Sequence, residues 1–145
     1  MDYGTAFDIS AAGMRFQMQR LETVALNLAN ANTVAGPNGL YQPKRVVGSP
    51  GEIQSFALQL GDAVRRVDLA GVGPEIEIEA LQVEPRRVHD PTHPAADADG
   101  YVQYPNVNPV SEMLNMIQST RAYEANVRAL NAAKAMAQSA LEIGR

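Results

Sequence analysis

The sequence predicts a mainly α-helical chain with a small β segment: long N- and C-terminal helices forming an antiparallel coiled-coil-like hairpin, with a central β-rich, Pro/Gly-rich insert. Three observations predict this. All nine prolines lie between Pro37 and Pro109, so the first 36 and last 36 residues hold none. Proline breaks helix interiors because it lacks an N–H and clashes with the preceding turn, so only the two ends permit long helices. Eight of the eleven glycines fall between Gly36 and Gly100, which marks the same stretch as turn-rich. Finally, both ends carry apolar residues at alternating spacings of three and four. The predicted organisation is therefore an N-terminal helical arm over 1–35, a β-rich and extended segment over 36–107, and a C-terminal helical arm over 108–145.

In the N-terminal arm, Phe7, Ala11, Met14, Met18, Leu21, Ala25, Leu28 and Asn32 form the seam. A period of 3.5 sustained from end to end is a heptad pattern. Thr5, with Asp8 three residues on, has the spacing of a capping box. The expected helix runs from about Thr5 to Ala31, roughly 40 Å at about 1.5 Å per residue. A single helix of that size has no core, so its seam needs a partner. The seam is rich in Ala and Met, which allow close approach and irregular packing. Three asparagines follow within six positions, Asn27, Asn30 and Asn32, ahead of Thr33. Asparagine is a poor helix former that bonds nearby backbone, so the run reads as a helix stop. It also reads as a hydrogen-bonding face against neighbouring chains, because amides donate and accept.

The C-terminal arm opens on Asn108-Pro109, a good N-cap followed by proline at the first helical position. No breaker follows until Gly144, and Met113, Met116, Thr120, Tyr123, Val127, Leu130, Ala137 and Leu141 continue the three/four spacing. Frequent alanine favours helix and keeps the surface slim. The two arms suit an antiparallel helical hairpin. Much apolar surface would stay uncovered, which points to self-association or partners.

In the middle segment, Gly36-Pro37-Asn38-Gly39 is a turn. Three strands are expected: Phe56 to Leu60, Val64 to Leu69 across a Gly61-Asp62 turn, and one around Ile76 and Ile78, which alternate with Glu75, Glu77 and Glu79. The stretch Pro85 to Pro109 reads as extended and irregular.

Composition narrows function mainly by exclusion. The net charge of −4 has the wrong sign for non-specific nucleic-acid binding. With no cysteine there is no disulfide framework or thiolate chemistry. The opening Met1-Asp2-Tyr3 is acidic where a secretory leader would be basic. The uncharged stretch 23–43 is interrupted by asparagines and Pro37, so it does not read as a membrane span. His89 and His93 have a metal-binding spacing on a helix, but Pro91 and Pro94 make a helix there improbable. Asp97-Ala98-Asp99-Gly100 echoes a calcium loop, yet its glycine comes too early and no twelfth-position Glu follows. No phosphate loop or nucleophile elbow occurs. No catalytic residue, metal ligand or cofactor is therefore assigned.

Residues 27–33, Asn-Leu-Ala-Asn-Ala-Asn-Thr, resemble the signature of bacterial flagellar rod and hook proteins. At the other end, residues 99–108, Glu112 to Ile117 and Arg121 to Asn126 resemble the approach to that family's final helix and the helix itself. The stretch His89 to Asp97 and the short length are most like proximal-rod members, although Pro109 and Ser111 stand where valine and glutamate are expected. The resemblance implies a non-enzymatic structural subunit that assembles helically, forming part of a torque-transmitting drive shaft around the export channel. It implies export without a cleaved signal peptide, and a position in the basal-body rod crossing the periplasm. Both terminal helices would line an inner tube, with the middle segment outside. The implied partners are copies of the chain, other rod subunits, the membrane-ring and export-gate adaptor, the distal rod and, in transit, the flagellar export apparatus. Nucleic acid and a direct membrane span are not expected.

With the seams, this places the expected subunit interface at Phe7, Met14, Met18, Leu21 and Leu28, at Asn27, Asn30, Asn32 and Thr33, and at Met113, Met116, Ile117, Tyr123, Val127, Leu130 and Leu141. The competing reading from another class is a helical adaptor or chaperone that clamps a partner through its hairpin.

Overall fold

The computed structural model describes residues 3–36, 39–49 and 75–143. In chain order they form α1 (Tyr3–Asn30), β1 (Lys44–Ser49), β2 (Glu75–Ala80), β3 (Arg86–His89), β4 (Tyr101–Tyr104) and α2 (Pro109–Ile143). The chain is thus mainly helical with a small β part. The two helices have 28 and 35 residues, about 42 and 52 Å at about 1.5 Å per residue.

The start of α1 corrects one expectation. The helix begins at Tyr3, so Thr5 lies inside it rather than at its cap. Its far end closes as the asparagine run suggests. Asn30 Nδ2 donates to the Leu26 carbonyl at 2.8 Å, and the Ala31 and Thr33 amides bond three residues back. The two amide bonds use carbonyls, of Leu28 and Asn30, that the helix end would leave open. At the head of α2, Asn108 Oδ1 accepts the Val110 and Ser111 amides at 3.0 and 3.3 Å. Pro109 supplies the preset φ of a first helical residue, and Glu112 in the first turn complements the helix dipole.

The strands form two separate two-stranded sheets, β1 with β2 and β3 with β4. β2 is the strand expected from the Ile/Glu alternation. The Leu81 amide donates to the Pro43 carbonyl at 2.7 Å, and Arg45 pairs with Glu79 at 3.0 Å. That ion pair is exposed on both sides and contributes at most about 1 kcal/mol. The strands expected at 56–60 and 64–69 lie outside the described residues.

The irregular stretch expected from Pro85 to Pro109 is instead partly a hairpin. β3 and β4 pair antiparallel, with Val88 opposite Val102 and His89 opposite Tyr101. Each strand has only four residues, and flanking prolines mask the alternation. Tyrosines on the facing strand supply what the sequence reading missed: the Arg86 guanidinium lies 5.5 Å from the ring centre of Tyr104 opposite it, and the Arg87 guanidinium, opposite Gln103, lies 4.8 Å from that of Tyr101.

The chain divides into two compact units, each described by itself. The first takes in the described residues of 1–18, 48–77 and 120–145. In it, a Cβ at Gly48 would stand 3.0 Å from the Phe16 ring, so the strand lies against the aromatic edge only because no side chain intervenes. A Cβ at Gly13 would meet the Asn126 carboxamide at 2.9 Å. The second unit takes in residues 19–47 and 78–119, and holds the end of α1, the start of α2 and the β3–β4 hairpin.

The buried residues are unusually small and polar. On α1 they are Ser10, Ala12, Thr23, Val24 and Asn27, with Ala31 just past its end, and on α2 Ser119 and Ala133. None of the eight seam residues expected on α1 is buried. Ser10, Val24 and Asn27 on α1 each precede a seam position by one residue, about 100° around the axis, whereas Ala12 and Thr23 do not. On α2 the inward line passes through Glu112, Ser119, Asn126 and Ala133, seven residues apart.

Candidate assembly surface

The end of α1 and the start of α2 meet at one carboxamide. Asn27 is 3% exposed, and every hydrogen-bonding position of its side chain is used. Nδ2 donates to the Lys44 carbonyl at 2.8 Å and to Glu112 Oε2 at 3.1 Å. Oδ1 accepts the Lys44 amide at 2.9 Å and the Tyr41 hydroxyl at 2.8 Å. The amide therefore pairs with Lys44 as a neighbouring strand would, while reaching across to α2. Glu112 Oε1 accepts Asn115 Nδ2 at 3.3 Å. Burial, and then the Glu112 carboxylate nearby, push the Tyr41 phenol above its ordinary pKa.

The other expected interface positions are mostly left facing outward. Asn32 and Thr33 are exposed, while Asn30 is half-buried and its Oδ1 accepts Thr33 Oγ1 at 3.4 Å. Phe7, Met14, Leu21 and Leu28 on α1, and Met116, Tyr123, Val127 and Leu130 on α2, are half-buried. Met18, Met113, Ile117 and Leu141 are exposed.

A band that sequence reading only half found runs along the first two turns of α2. Val110, Met113, Leu114 and Ile117 fall on one helix face at spacings of three and four, and each is between 51% and 75% exposed. The three/four series traced from Met113 to Met116 passes beside Val110 and Leu114. A test for i, i+3, i+4, i+7 starting at Val110 would have found them. Ile9, Leu26 and Met136 are further exposed apolar residues outside the expected set.

The β3–β4 loop is locally self-satisfied. Asp97 Oδ1 accepts the Asp99 and Tyr101 amides at 3.0 and 2.8 Å, and Oδ2 accepts Arg87 at 3.1 Å. These bonds, the Tyr101 amide first, hold its carboxyl below the usual pKa. Gly100 has φ of 77°, a left-handed turn position beside Pro91 and His89. His89 meets the Tyr101 ring edge-on at 5.0 Å, and His93 Nδ1 accepts the Ala95 amide. Among the described residues, no group of three or more His, Cys, Asp or Glu is arranged to hold a metal ion. Nor is any helix long and apolar enough to cross a membrane.

These features define a class: a two-helix chain whose buried helix positions, among the described residues, are mostly small or polar, and whose large apolar side chains are half-buried or exposed. Comparison with known proteins points the same way. A family model described as flagellar basal body rod FlgEFG protein C-terminal matches residues 98–143. The chain is 40% identical to the flagellar basal-body rod protein FlgC of Bacillus subtilis (strain 168), over 97% of this chain and 99% of that one. It is also 40% identical to FlgC of Salmonella typhimurium, covering 96% of each. With FlgC of Borreliella burgdorferi the identity is 31%, over 96% of this chain and 95% of the relative. The chain belongs to the FlgC family of flagellar basal-body rod proteins.

Proposed function

We propose that this chain is a structural, non-catalytic subunit of the proximal part of the flagellar rod, assembling helically through its two terminal helices into the drive shaft around the export channel. The observation that carries the reading is the inversion of side-chain size. Among the described residues the buried helix positions are Ala, Ser, Thr, Asn and one Val, while Val110, Met113, Leu114 and Ile117 stay in water. A chain that leaves such a face uncovered gains apolar burial only when another chain covers it. Contacts of this kind that do not close on themselves generate a helical tube.

The arms are read as an antiparallel pair. Two contacts support this, each within its own unit: Asn27 with Glu112, and Gly13 beneath Asn126. Asn27, late in α1, meets Glu112, early in α2, and Gly13, earlier in α1, lies beside Asn126, further along α2. In the assembly the expected seams, from Phe7 to Leu28 and from Met113 to Leu141, are the surfaces that meet neighbours. Asn27 serves the interface from behind, by fixing the two helix ends. The partners are copies of the chain, neighbouring rod subunits, the membrane-ring adaptor and the distal rod, reached after export without a cleaved signal. The adaptor reading lacks comparable support, because full-length relatives carry the name of a rod protein.

The test is a chromosomal deletion, scored for swimming and for rods in purified basal bodies. The chain has no cysteine, so cysteines placed at Met18 and Ile117 report by disulfide cross-linking which copies of the chain meet there. Loss of rods on deletion, with cross-links between copies in the complemented strain, is expected. A motile deletion strain with complete rods overturns the reading.

A further inference from the structure

The uncovered surface carries a chemistry that an assembled one would hide. The chain has six methionines and no cysteine, so thioethers are its only sulfur. Three of them stand in water: Met18 at 53% exposure, Met113 at 52% and Met136 at 57%. Met113 differs from the other two in its neighbours. It sits in the α2 band with Val110 and Leu114 on either side and Ile117 one turn on, so it is both open to solvent and central to the apolar face.

We propose that Met113 is an oxidation site that controls whether the free chain can assemble, with peroxide as the oxidant. The sulfur lone pair attacks one peroxide oxygen, the O–O bond breaks, an S–O bond forms and water leaves. Sulfur loses two electrons and peroxide gains them. The product is a polar, chiral sulfoxide in the middle of an apolar face. Covering that face with a second copy of the chain then strands an S–O acceptor away from water, which opposes burial. Reduction of the sulfoxide by two thiols returns the thioether, yielding a disulfide and water, so the block is reversible. Once the face is covered the sulfur is shielded, and the site acts only on chains not yet incorporated. The proposal rests on the reading of this face as an assembly surface.

The test uses the full-length chain. Free protein is treated with hydrogen peroxide, oxidised methionines are assigned by mass spectrometry, and self-association is followed by sedimentation before and after repair with methionine sulfoxide reductase and a thiol reductant. Met113 gains one oxygen, association weakens by about tenfold or more, and repair restores it. M113L, with Met18 and Met136 left to oxidise, associates equally before and after peroxide. M113Q, polar without any oxidant, associates as weakly as the oxidised chain. Circular dichroism shows unchanged helix content in each, which separates a lost interface from a lost fold. A chain that carries the sulfoxide at Met113 and associates normally overturns the proposal, as does an M113L chain that still loses association under peroxide. A chain that fails to self-associate in either redox state overturns the assembly reading beneath it.

Discussion

Asn27 Nδ2 donates to Glu112 Oε2 across 3.1 Å, joining the last turn of α1 to the first turn of α2 over 85 positions of sequence. The same carboxamide holds both polar groups of Lys44 and the Tyr41 hydroxyl. Asn27→Ala leaves four groups without a partner, and because Lys44 is exposed and Tyr41 and Glu112 are half-buried, water recovers part of each loss, which costs about 0.5–1 kcal/mol. The expected loss is about 2–4 kcal/mol, read as a lower thermal midpoint. Asn27→Asp keeps the shape but sets a carboxylate against Glu112 and removes a donor. The two carboxylates repel, so Asn27→Asp should be less stable than the natural chain, and adding Glu112→Gln should recover part of that loss. No recovery contradicts the pairing.

Gly13 presents the opposite balance. Alanine is the better helix former by about 1 kcal/mol, yet its Cβ would meet the Asn126 carboxamide at 2.9 to 3.1 Å. Gly13→Ala alone is expected to gain less than that, because the tip of the Asn126 side chain must turn aside. Combined with Asn126→Ala, the obstruction is gone and the propensity gain remains. A double-mutant cycle should give a coupling of about 1 kcal/mol between the sites. Additive effects would show that the two helices do not approach there.

Ser119 is fully buried, and its hydroxyl has no hydrogen-bond partner among the described residues. Ser119→Ala removes an unpaired polar atom and improves helix propensity, so stability should rise by about 0.5–1.5 kcal/mol in denaturant unfolding. Ser119→Leu overfills the same place and should cost about 1–3 kcal/mol. Opposite signs for these two variants identify the position as a close approach, and equal small effects would place it at a loose surface.

The helices were legible because proline exclusion and cap chemistry act locally: Asn108 and Pro109 start α2 where they stand in the sequence. The inward face was not legible. Large apolar residues mark a seam in a sequence, but here the chain's own contacts run beside it, mostly through Ser, Ala and Asn, which carry no hydrophobic signal. The apolar seam itself is left half-buried to exposed, and the proposed assembly surface rests on that. The hairpin was hidden for another reason. Its strands depend on cross-strand stacking of Arg87 and His89 against Tyr101, and pairing across a loop of eleven residues is not a local property. Asn27 was picked out by type, as an amide suited to bonding, but its partners Tyr41, Lys44 and Glu112 are visible only in the fold.

Asp97 makes a pH-dependent staple in that loop. Its carboxylate, held below the 3.8 of an ordinary aspartate, accepts the Tyr101 and Asp99 amides and Arg87. A group whose pKa is lower folded than unfolded stabilises the fold above its unfolded value, and the effect is lost as pH falls through the lower folded one. The Asp99 and Tyr101 amide resonances should therefore titrate with a midpoint below 3.8. Asp97→Asn should leave them without that transition. A midpoint at or above the ordinary value would mean the carboxylate is free in solution.

The apolar band of α2 allows fold and assembly to be separated in one variant. Val110, Leu114 and Ile117 are at least half exposed, so changing all three to Gln removes little burial within the chain. Gln is also a better helix former than Val or Ile. Helix content by circular dichroism should be unchanged or slightly higher. In an assembled contact the same three side chains would each bury apolar surface contributing about 1 kcal/mol or more. Self-association should then fall by roughly a hundredfold or more, and a strain carrying the variant should lose swimming while keeping normal amounts of the chain. Retained swimming would mean that this face stays in water in the assembly. The inversion of side-chain size would then have to be explained by the seam on α1, where Met18 is the exposed large residue and the next to change.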